Sequence, residues 1–455
     1  MWPTRCCRYW TARVPKSRVC LIESLVELAS SAVRRADAGT RNRARLEVVD
    51  AVGCMVRGSN HPMVQRLSGL AAVWPSAGPS KPVAAPHGSF NLDHAIVVDA
   101  LAVHVDEFDA LHPSSASVPA AAVMASVLAL ARSRHLSGSQ VSDAVIAGYE
   151  VLAAVGEHFG GSRLYSRGWW PTSTFAAVGA AAGVSILLGL ERDQTCHALG
   201  LAATVSGGLL SDGRLSEGHY LSAARASARG ALAAVEAEAG LEASWQLLDG
   251  PASQAFMPDH LLSPYRSGRV DGEATTLAVD QCVIKWFPCA RPLHGVVEAL
   301  RELRATGIDL GSLTQVEVAV HPDVRAFVTA EREVEGPTEA AASAVFVVDA
   351  ARLGRETEVS YFRGAQLGSG APQVTLGMTH VTDEIWSARV RCTDMAGKQH
   401  ERWGSPTTEA DSTRVAQKFI DNLTAVGWPA AQSHHLLGAL NQLDSHEDVA
   451  TLPFS

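Results

Sequence analysis

The hydrophobic and polar positions follow a helical pattern over the first half of the chain. From about residue 21 to residue 240, Ala-rich apolar stretches are separated by short breaks of Gly, Pro and Ser, and this pattern predicts packed helices. The clearest predicted helices are Ala120–Arg132, Val141–Phe159, Phe175–Leu190 and Ala223–Ala239. The segment Ile96–Val105 fits a helix or a strand.

The pattern changes after Pro264. β-branched or alternating segments bounded by turn residues predict strands at Cys282–Phe287, Gln315–His321 and Ile385–Cys392. Helices are predicted between them at Gly295–Ala305 and Thr338–Arg352, and Gly364–Gln373 is predicted as a flexible loop. The helical pattern returns at Ser412–Val426 and Ala430–Gln442.

These patterns predict a mainly α protein with an α+β part. We expect an N-terminal extension at residues 1–24, a large all-helical domain at 25–267, a smaller α+β domain at 268–404, and C-terminal helices at 405–455 that return to the helical domain. The Arg-rich first twenty residues lack an apolar core of signal-peptide length and are predicted to form a loose extension; a transit-like peptide and an over-called start site are the alternatives.

Composition and charge narrow the class of protein. The 455 residues are 47% hydrophobic and 19% charged, which is enough apolar material for a sizeable core. The net charge of −9, without a basic stripe, argues against nucleic acid binding. The longest apolar run, Phe175–Leu190, is short for a bilayer span, so we expect a buried helix and no membrane partner. Eight scattered Cys without a CxxC pair favour a cytoplasmic protein.

Several cofactor and catalytic motifs are absent from the sequence. It contains no GxGxxG after a strand, no GxxxxGK[ST], no HExxH and no GxSxG. These absences argue against a dinucleotide site, a P-loop, a zincin and an α/β-hydrolase. We therefore predict a protein without a cofactor.

The densest chemistry lies in the segment His104–Pro113, which holds three carboxylates and two imidazoles. Pro113 disfavours helix at His112, so a helix is expected to end there, and a helix C-terminus favours a protonated imidazole. A histidine beside carboxylates suits proton transfer or carboxylate binding. Two alternatives stay open: a solvated loop with ordinary charges, and a metal site, for which the spacing is not diagnostic.

A second candidate segment, Lys285–His294, carries three cationic or ionisable side chains ahead of a predicted helix. Free N–H groups at a helix start bind anions, and Arg291 offers a two-pronged fork for a carboxylate. In a chain of net negative charge, this local cluster indicates an anionic ligand. The alternative is that Lys285 and Arg291 pair with surface acids and that His294 is a packed helix residue.

Several stretches, taken in chain order, resemble a known family. They are Val49–Gly53 with Gly58, His104–Pro113, Ala147–Glu150, Ala177–Leu190, Ala223–Gly230 and Lys285–His294. From about residue 25 onward the chain resembles the MmgE/PrpD family, which includes 2-methylcitrate dehydratases and cis-aconitate decarboxylases. The resemblance implies a helical domain with a smaller lid-like α+β domain, a cofactor-free site between them and, usually, a homodimer.

The family's acidic stretch, H-x-x-D-[FY]-D-D, is similar to the segment that begins at His104. Glu107 stands at the first acid, Phe108 at the aromatic position and Asp109 at the second acid. Ala110 replaces the third acid. The resemblance therefore implies an acidic site that has lost one carboxylate.

Other matches and departures bear on the substrate. The family's His-Pro matches His112–Pro113 after a shortened loop, and its K-x-[FY]-P…H stretch matches Lys285 and His294. Trp170 stands where the decarboxylase branch has a catalytic histidine, and His219 stands, on a looser alignment, where the family has a lysine. These departures suggest a bulkier, less charged substrate than a tricarboxylate.

Together with the family chemistry, these residues suggest a lyase that acts on a small carboxylic acid. Loss of water or CO₂ through an enolate-like state needs an acid, a base and fixed positive charge. We expect His112 to be the general acid or base, and Asp109 and Glu107 to orient it and tune its pKa.

The remaining predicted site residues bind or surround the substrate carboxylate. Lys285 is predicted as a catalytic cation that stabilises the enolate, with Arg291 and His294 binding the carboxylate. Further candidates for substrate binding are His219, His104 and Trp170.

Two alternatives remain from other functional classes. The first is an isomerase or epimerase on the same scaffold, which needs the proton transfer but no leaving group. The second is a non-catalytic family member that binds an acidic metabolite, because a fold alone does not fix a function.

Overall fold

The computed structural model describes residues 19–70, 78–210, 215–256, 268–270, 272–379 and 384–454. Of the described residues, 58% are helical, and they contain one small mixed sheet, so the predicted class, mainly α with an α+β part, is confirmed. Most of the predicted N-terminal extension, residues 1–18, and the composition change near Pro264 lie outside the described residues. The predicted domain boundaries stay a prediction.

Helices fill the first half of the chain. They are α1 (Leu21–Arg35), α2 (Ala38–Gly58), α3 (Pro62–Gly69), α4 (Leu92–His104), α5 (Ala125–Ser133), α6 (Gly138–His158), α7 (Pro171–Leu188), α8 (Arg192–Ala203) and α9 (Glu217–Glu238). A π-helical turn, Ala120–Met124, leads into α5. The segment Ile96–Val105, which fitted a helix or a strand, is the C-terminal part of helix α4, with Val105 as the residue that follows the helix. Asn91 caps the start of α4 by accepting a hydrogen bond from the His94 N–H.

Helix α7 is the central helix of this body and packs against α6 and α9. By length and composition alone Pro171–Leu188 could cross a membrane, but 89% of it is buried inside the fold. Small residues allow the close packing: a Cβ added at Gly230 of α9 would lie 2.2 Å from the carbonyl oxygen of Ala177. The apolar run is therefore a core helix, as its length predicted.

The second half of the chain adds a four-stranded sheet of order β2-β1-β3-β4. The strands are β1 (Leu313–Val320), β2 (Gln373–Met378), β3 (Ala388–Asp394) and β4 (Gln399–Gly404). β1 pairs in parallel with β2 and antiparallel with β3, which pairs antiparallel with β4. The helices of this half are α10 (Ala278–Gln281), α11 (His294–Ala305), α12 (Pro322–Arg325), α13 (Pro337–Ala342), α14 (Ala344–Leu353) and α15 (Val359–Gly364).

One predicted element of this half is wrong. Cys282–Phe287 is not a strand: only Val283 forms an isolated bridge, and burial rather than a ladder explains its apolar residues. Thr338–Arg352 is helical as predicted, but it is divided into two helices, because Ser343 is extended (φ −91°, ψ 122°) between α13 and α14. Strands β2 and β4 were missed, since β4 is largely polar and exposed and so carries no clear alternation.

Two helices end the chain, α16 (Ser412–Thr424) and α17 (Ala430–Asn441), close to where the sequence predicts them. Helix α16 packs against α2 near the start of the chain. Its apolar face, Val415, Phe419 and Leu423, is buried, and Lys418 lies buried beside these residues.

Candidate functional site

An isolated antiparallel bridge brings the two predicted site segments together. The Leu111 N–H donates to the Val283 carbonyl at 3.0 Å, and the Val283 N–H donates back at 2.8 Å. Lys285 follows two residues later and therefore lies beside the chain that leaves α4. The structure thus joins the His104–Pro113 and Lys285–His294 segments, which are far apart in sequence.

A tight turn after α4 shapes the acidic half of the site. The helix ends at His104, and the Glu107 N–H donates to the His104 carbonyl at 2.9 Å. Glu107 has φ 52°, a left-handed conformation that is uncommon for a residue other than glycine and that often marks functional sites. The turn brings Asp109 back beside the His104 ring.

The turn creates a chain of buried charged groups. The His104 Nδ1–H donates to Asp109 Oδ1 at 2.8 Å, and His104 Nε2 lies 3.4 Å from Glu107 Oε1. On the other side, Lys285 Nζ donates to Glu107 Oε2 at 2.7 Å. All four side chains are at most 2% exposed, so solvent screens these interactions little.

These neighbours set the protonation states. Burial would lower the pKa of His104, but the Asp109 and Glu107 carboxylates outweigh it and raise that pKa above its usual value. Burial would likewise raise the pKa of Glu107, but Lys285 and His104 lower it to about 2. The arrangement therefore holds a proton on His104 and a negative charge on Glu107.

Aromatic side chains form one wall of this cluster. The Trp170 indole stacks on the His219 ring with centroids 3.6 Å apart, and on the His104 ring with centroids 5.6 Å apart. Phe327 meets His219 edge-on at 5.6 Å. Burial lowers the pKa of His219 to about 3, so this imidazole is neutral. Trp170 and His219 thus lie at the predicted site, where they add no charge.

Arg291 and His294 lie together at the start of α11. Arg291 is 3% exposed, and its Nη1 donates to His294 Nδ1 at 3.5 Å, while the His294 Nε2–H donates to the Cys289 carbonyl at 3.2 Å. Burial lowers the pKa of Arg291 to about 10, which leaves the guanidinium charged. Burial, with Arg291 and Lys285 nearby, lowers the pKa of His294 well below its usual value. Both His294 nitrogens are occupied, so His294 orients Arg291.

The structure places His112 apart from the acids that were expected to orient it. Its Nδ1 lies 2.9 Å from Ser115 Oγ and its Nε2 lies 3.4 Å from Gln281 Oε1. Asp109 and Glu107 bind His104 and Lys285 instead, so the predicted pairing with His112 is wrong. Burial, together with Arg269, lowers the pKa of His112 to about 4, and the expected protonated imidazole is neutral.

Two contacts that the sequence pattern does not predict hold the site together. Lys418 Nζ donates to Asp50 Oδ1 at 2.6 Å, to the Phe108 carbonyl at 2.7 Å and to the Lys285 carbonyl at 3.0 Å. It thereby ties together the two chain segments that carry Glu107 and Lys285. The sequence does give one sign of this role, because Lys418 lies on the apolar face of the predicted helix Ser412–Val426, where a buried charge needs partners.

The second missed contact is the pair Arg363–Asp106. The Arg363 Nε and Nη2 donate to the two Asp106 oxygens at 2.7 and 2.6 Å. This two-pronged bond connects α15 with the turn that carries Glu107. Nothing local in the sequence marks Arg363 as the partner.

Sequence comparison agrees with this architecture. The MmgE/PrpD N-terminal domain matches residues 27–258, about half of the chain, and the chain belongs to this family. The chain is 29% identical over 228 residues to a cis-aconitate decarboxylase-like protein, oryM, of Aspergillus oryzae, with 47% of this chain and 46% of that protein covered. It is 31% identical over 202 residues to the cis-aconitate decarboxylase of Aspergillus terreus, with 43% and 40% covered. The chain spans less than half the length of these curated relatives.

Proposed function

We propose that this protein is a lyase that removes CO₂ from a small carboxylic acid through an enolate-like state. The observation that carries the proposal is the buried chain Asp109–His104–Glu107–Lys285, which places a protonated imidazole beside the fixed cation Lys285. Arg291 lies at the start of α11, where, after burial, it and Lys285 both lower the pKa of His294. Decarboxylation is favoured over dehydration because the curated relatives are named for it.

Each step of the reaction has a matching group. Lys285 and Arg291 hold the remaining carboxylate or carbonyl oxygen, where negative charge develops as the carbon–carbon bond breaks. The bonding electrons move into the enolate and CO₂ leaves. His104 then donates its proton to the carbon, and solvent returns a proton to His104. Asp109 orients the His104 ring throughout.

The substrate is proposed to carry fewer charges than a tricarboxylate. At the site, His219 is neutral and Trp170 is an uncharged indole, so the cations nearby are Lys285, Arg291 and protonated His104. Lys285 is already paired with Glu107. The homodimer implied by the family resemblance and the cytoplasmic localisation belong to the same proposal. Six described cysteines are free and buried, in keeping with a reducing compartment.

Proton NMR in D₂O tests the proposal. The purified protein is incubated with cis-aconitate, citrate, 2-methylcitrate and less charged hydroxy acids, and substrate loss and deuterium incorporation are followed. His104→Gln should lower turnover at least 100-fold, because it removes the group that donates the proton. The control, His435→Gln, changes an exposed histidine of α17 and should behave as the wild type.

Other results would replace the proposal. Loss of turnover in His112→Gln with full activity in His104→Gln would return the acid–base role to His112. An isomerised product without CO₂ would identify the isomerase alternative. Inertness toward the whole panel, with measurable binding of an acid, would identify a non-catalytic member.

A further inference from the structure

Three buried side chains bring potential metal-ligating atoms close together. The atoms are His104 Nε2, Glu107 Oε1 and His219 Nε2, which make no hydrogen bond within the described part of the chain, although His104 Nε2 and Glu107 Oε1 face each other as an ion pair at 3.4 Å. The side-chain donor atoms of this trio lie within 4.8 Å of one another. The three residues are 1%, 2% and 7% exposed, so His219 Nε2, which has neither a hydrogen bond nor an ion pair within the described residues, is costly to bury unless something binds it.

We propose that these three atoms form a binding site for one divalent transition-metal ion of the zinc type. Two imidazoles and one carboxylate are a ligand set of catalytic zinc sites and of open iron sites. Bonds of 2.0–2.1 Å at tetrahedral angles put two ligand atoms about 3.3 Å apart. The separation of 3.4 Å between His104 Nε2 and Glu107 Oε1 matches this spacing. The ligand nitrogen of His219 lies within 4.8 Å of the other two ligand atoms and completes the set by moving closer to them.

The surroundings support each ligand as they do in known metal sites. The second nitrogen of His104 is held by Asp109 at 2.8 Å, and the second oxygen of Glu107 is held by Lys285 at 2.7 Å. A carboxylate behind a ligating histidine fixes the tautomer and strengthens the bond to the metal. The Trp170 indole, stacked on His219 and His104, keeps both rings in place.

The metal site and the proposed lyase share one atom, His104 Nε2. An ion bound there occupies the nitrogen from which the proposed reaction donates to carbon, so, if the proposed function holds, zinc inhibits turnover. The positive charge of Lys285 opposes the ion, whereas Glu107 and Asp109 attract it. The metal site does not depend on the proposed function, because its ligands are defined without a substrate.

Zinc binding to the full-length protein tests the inference without substrate. After treatment with a chelator and its removal, ZnCl₂ is titrated by calorimetry, and elemental analysis gives the stoichiometry. Co²⁺ serves as a second probe, through its visible absorption in a low-coordinate site. The wild type and the control His435→Gln should each bind one ion.

Three variants separate a specific site from unspecific binding. His219→Phe keeps the ring between Trp170 and Phe327 but removes the ligand, and should weaken binding by 100-fold or more. Glu107→Gln should do the same. Asp109→Asn, which changes only the group behind His104, should weaken binding roughly 10–100-fold. Circular dichroism and the melting temperature show whether each variant is folded.

Two results would overturn the site: no binding to the wild type at millimolar zinc, or unchanged binding in folded His219→Phe. If Glu107→Gln does not fold because Lys285 loses its partner, the zinc affinity of folded His219→Phe alone decides whether the site exists. A protein that binds zinc at these residues but turns over no acid would disprove the lyase and leave the metal site standing.

Discussion

At the scale of single residues, surroundings give four histidines different properties. His104, beside two carboxylates, has a raised pKa, whereas burial lowers the pKa of His112 to about 4 and that of His219 to about 3. His294 uses both nitrogens to hold Arg291 and a carbonyl. Residue type alone therefore could not show which histidine carries a proton.

The low pKa of His112 predicts a loss of stability in acid. In the unfolded chain a histidine titrates near pH 6.5, so between about pH 6.5 and 4 the unfolded state binds a proton that folded His112 does not. The free energy of unfolding therefore decreases as the pH is lowered from about 6.5 to 4, by up to about 1.4 kcal/mol per pH unit for this group. In His112→Gln, the free energy of unfolding measured by urea denaturation should decrease less steeply as the pH is lowered.

Two controls make this pH prediction specific. Burial raises the pKa of Glu47 to about 7, so Glu47 makes the free energy of unfolding increase as the pH is lowered. This contribution is the same in wild type and in His112→Gln, so the difference between their pH slopes reports on His112. The exposed His435→Gln should leave the slope unchanged. An identical slope in His112→Gln and wild type would contradict the buried, neutral imidazole.

At the scale of elements, glycines set the distance between the central helices. Gly230 of α9 packs against α7 so closely that an added Cβ would meet the Ala177 carbonyl at 2.2 Å and the Ala180 Cβ at 2.7 Å. Gly438, on the exposed side of α17, has no atom within 4 Å of such a Cβ. Replacing glycine by alanine should therefore destabilise the protein at Gly230 in α9 and stabilise it at Gly438 in α17.

Gly230→Ala should lower the free energy of unfolding by about 1–3 kcal/mol or more, because the helices must separate. Gly438→Ala should raise it by up to about 1 kcal/mol, because alanine favours an exposed helix. Urea denaturation of both variants measures the difference. Equal stability of the two variants would show that α7 and α9 do not pack this closely.

Many element positions could be predicted from the sequence. Helices α6, α7 and α9 and strand β1 followed from apolar spacing and turn residues, since these signals act over a few positions. The polar strand β4 and the extended Ser343 could not be predicted, because their conformations depend on neighbours from other segments.

At the scale of the whole molecule, Lys418 joins three distant parts of the chain. Its ammonium group binds Asp50 of α2, the carbonyl beside Glu107 and the carbonyl of Lys285. Burial would lower the pKa of Lys418, but Asp50 outweighs it and raises that pKa, so the lysine stays charged. It therefore positions both halves of the candidate site.

Lys418→Met should cost about 3–5 kcal/mol of unfolding free energy, because it leaves the buried Asp50 carboxylate without its counter-charge. Lys398→Met, at an exposed position, should change stability by no more than about 0.5 kcal/mol. Urea denaturation monitored by circular dichroism compares the two. A loss below about 1 kcal/mol in Lys418→Met would rule out this role.

The sequence by itself determined the helical body, the fold class and the resemblance to a family, because apolar periodicity and turn residues act locally. It also marked the segments that hold His104, Glu107 and Lys285. Only the tertiary structure decided that Asp109 and Glu107 serve His104 rather than His112. The left-handed turn at Glu107 and the Leu111–Val283 bridge set that choice. A side-chain pair is selected by distances across the folded chain, which spacing along the sequence does not contain.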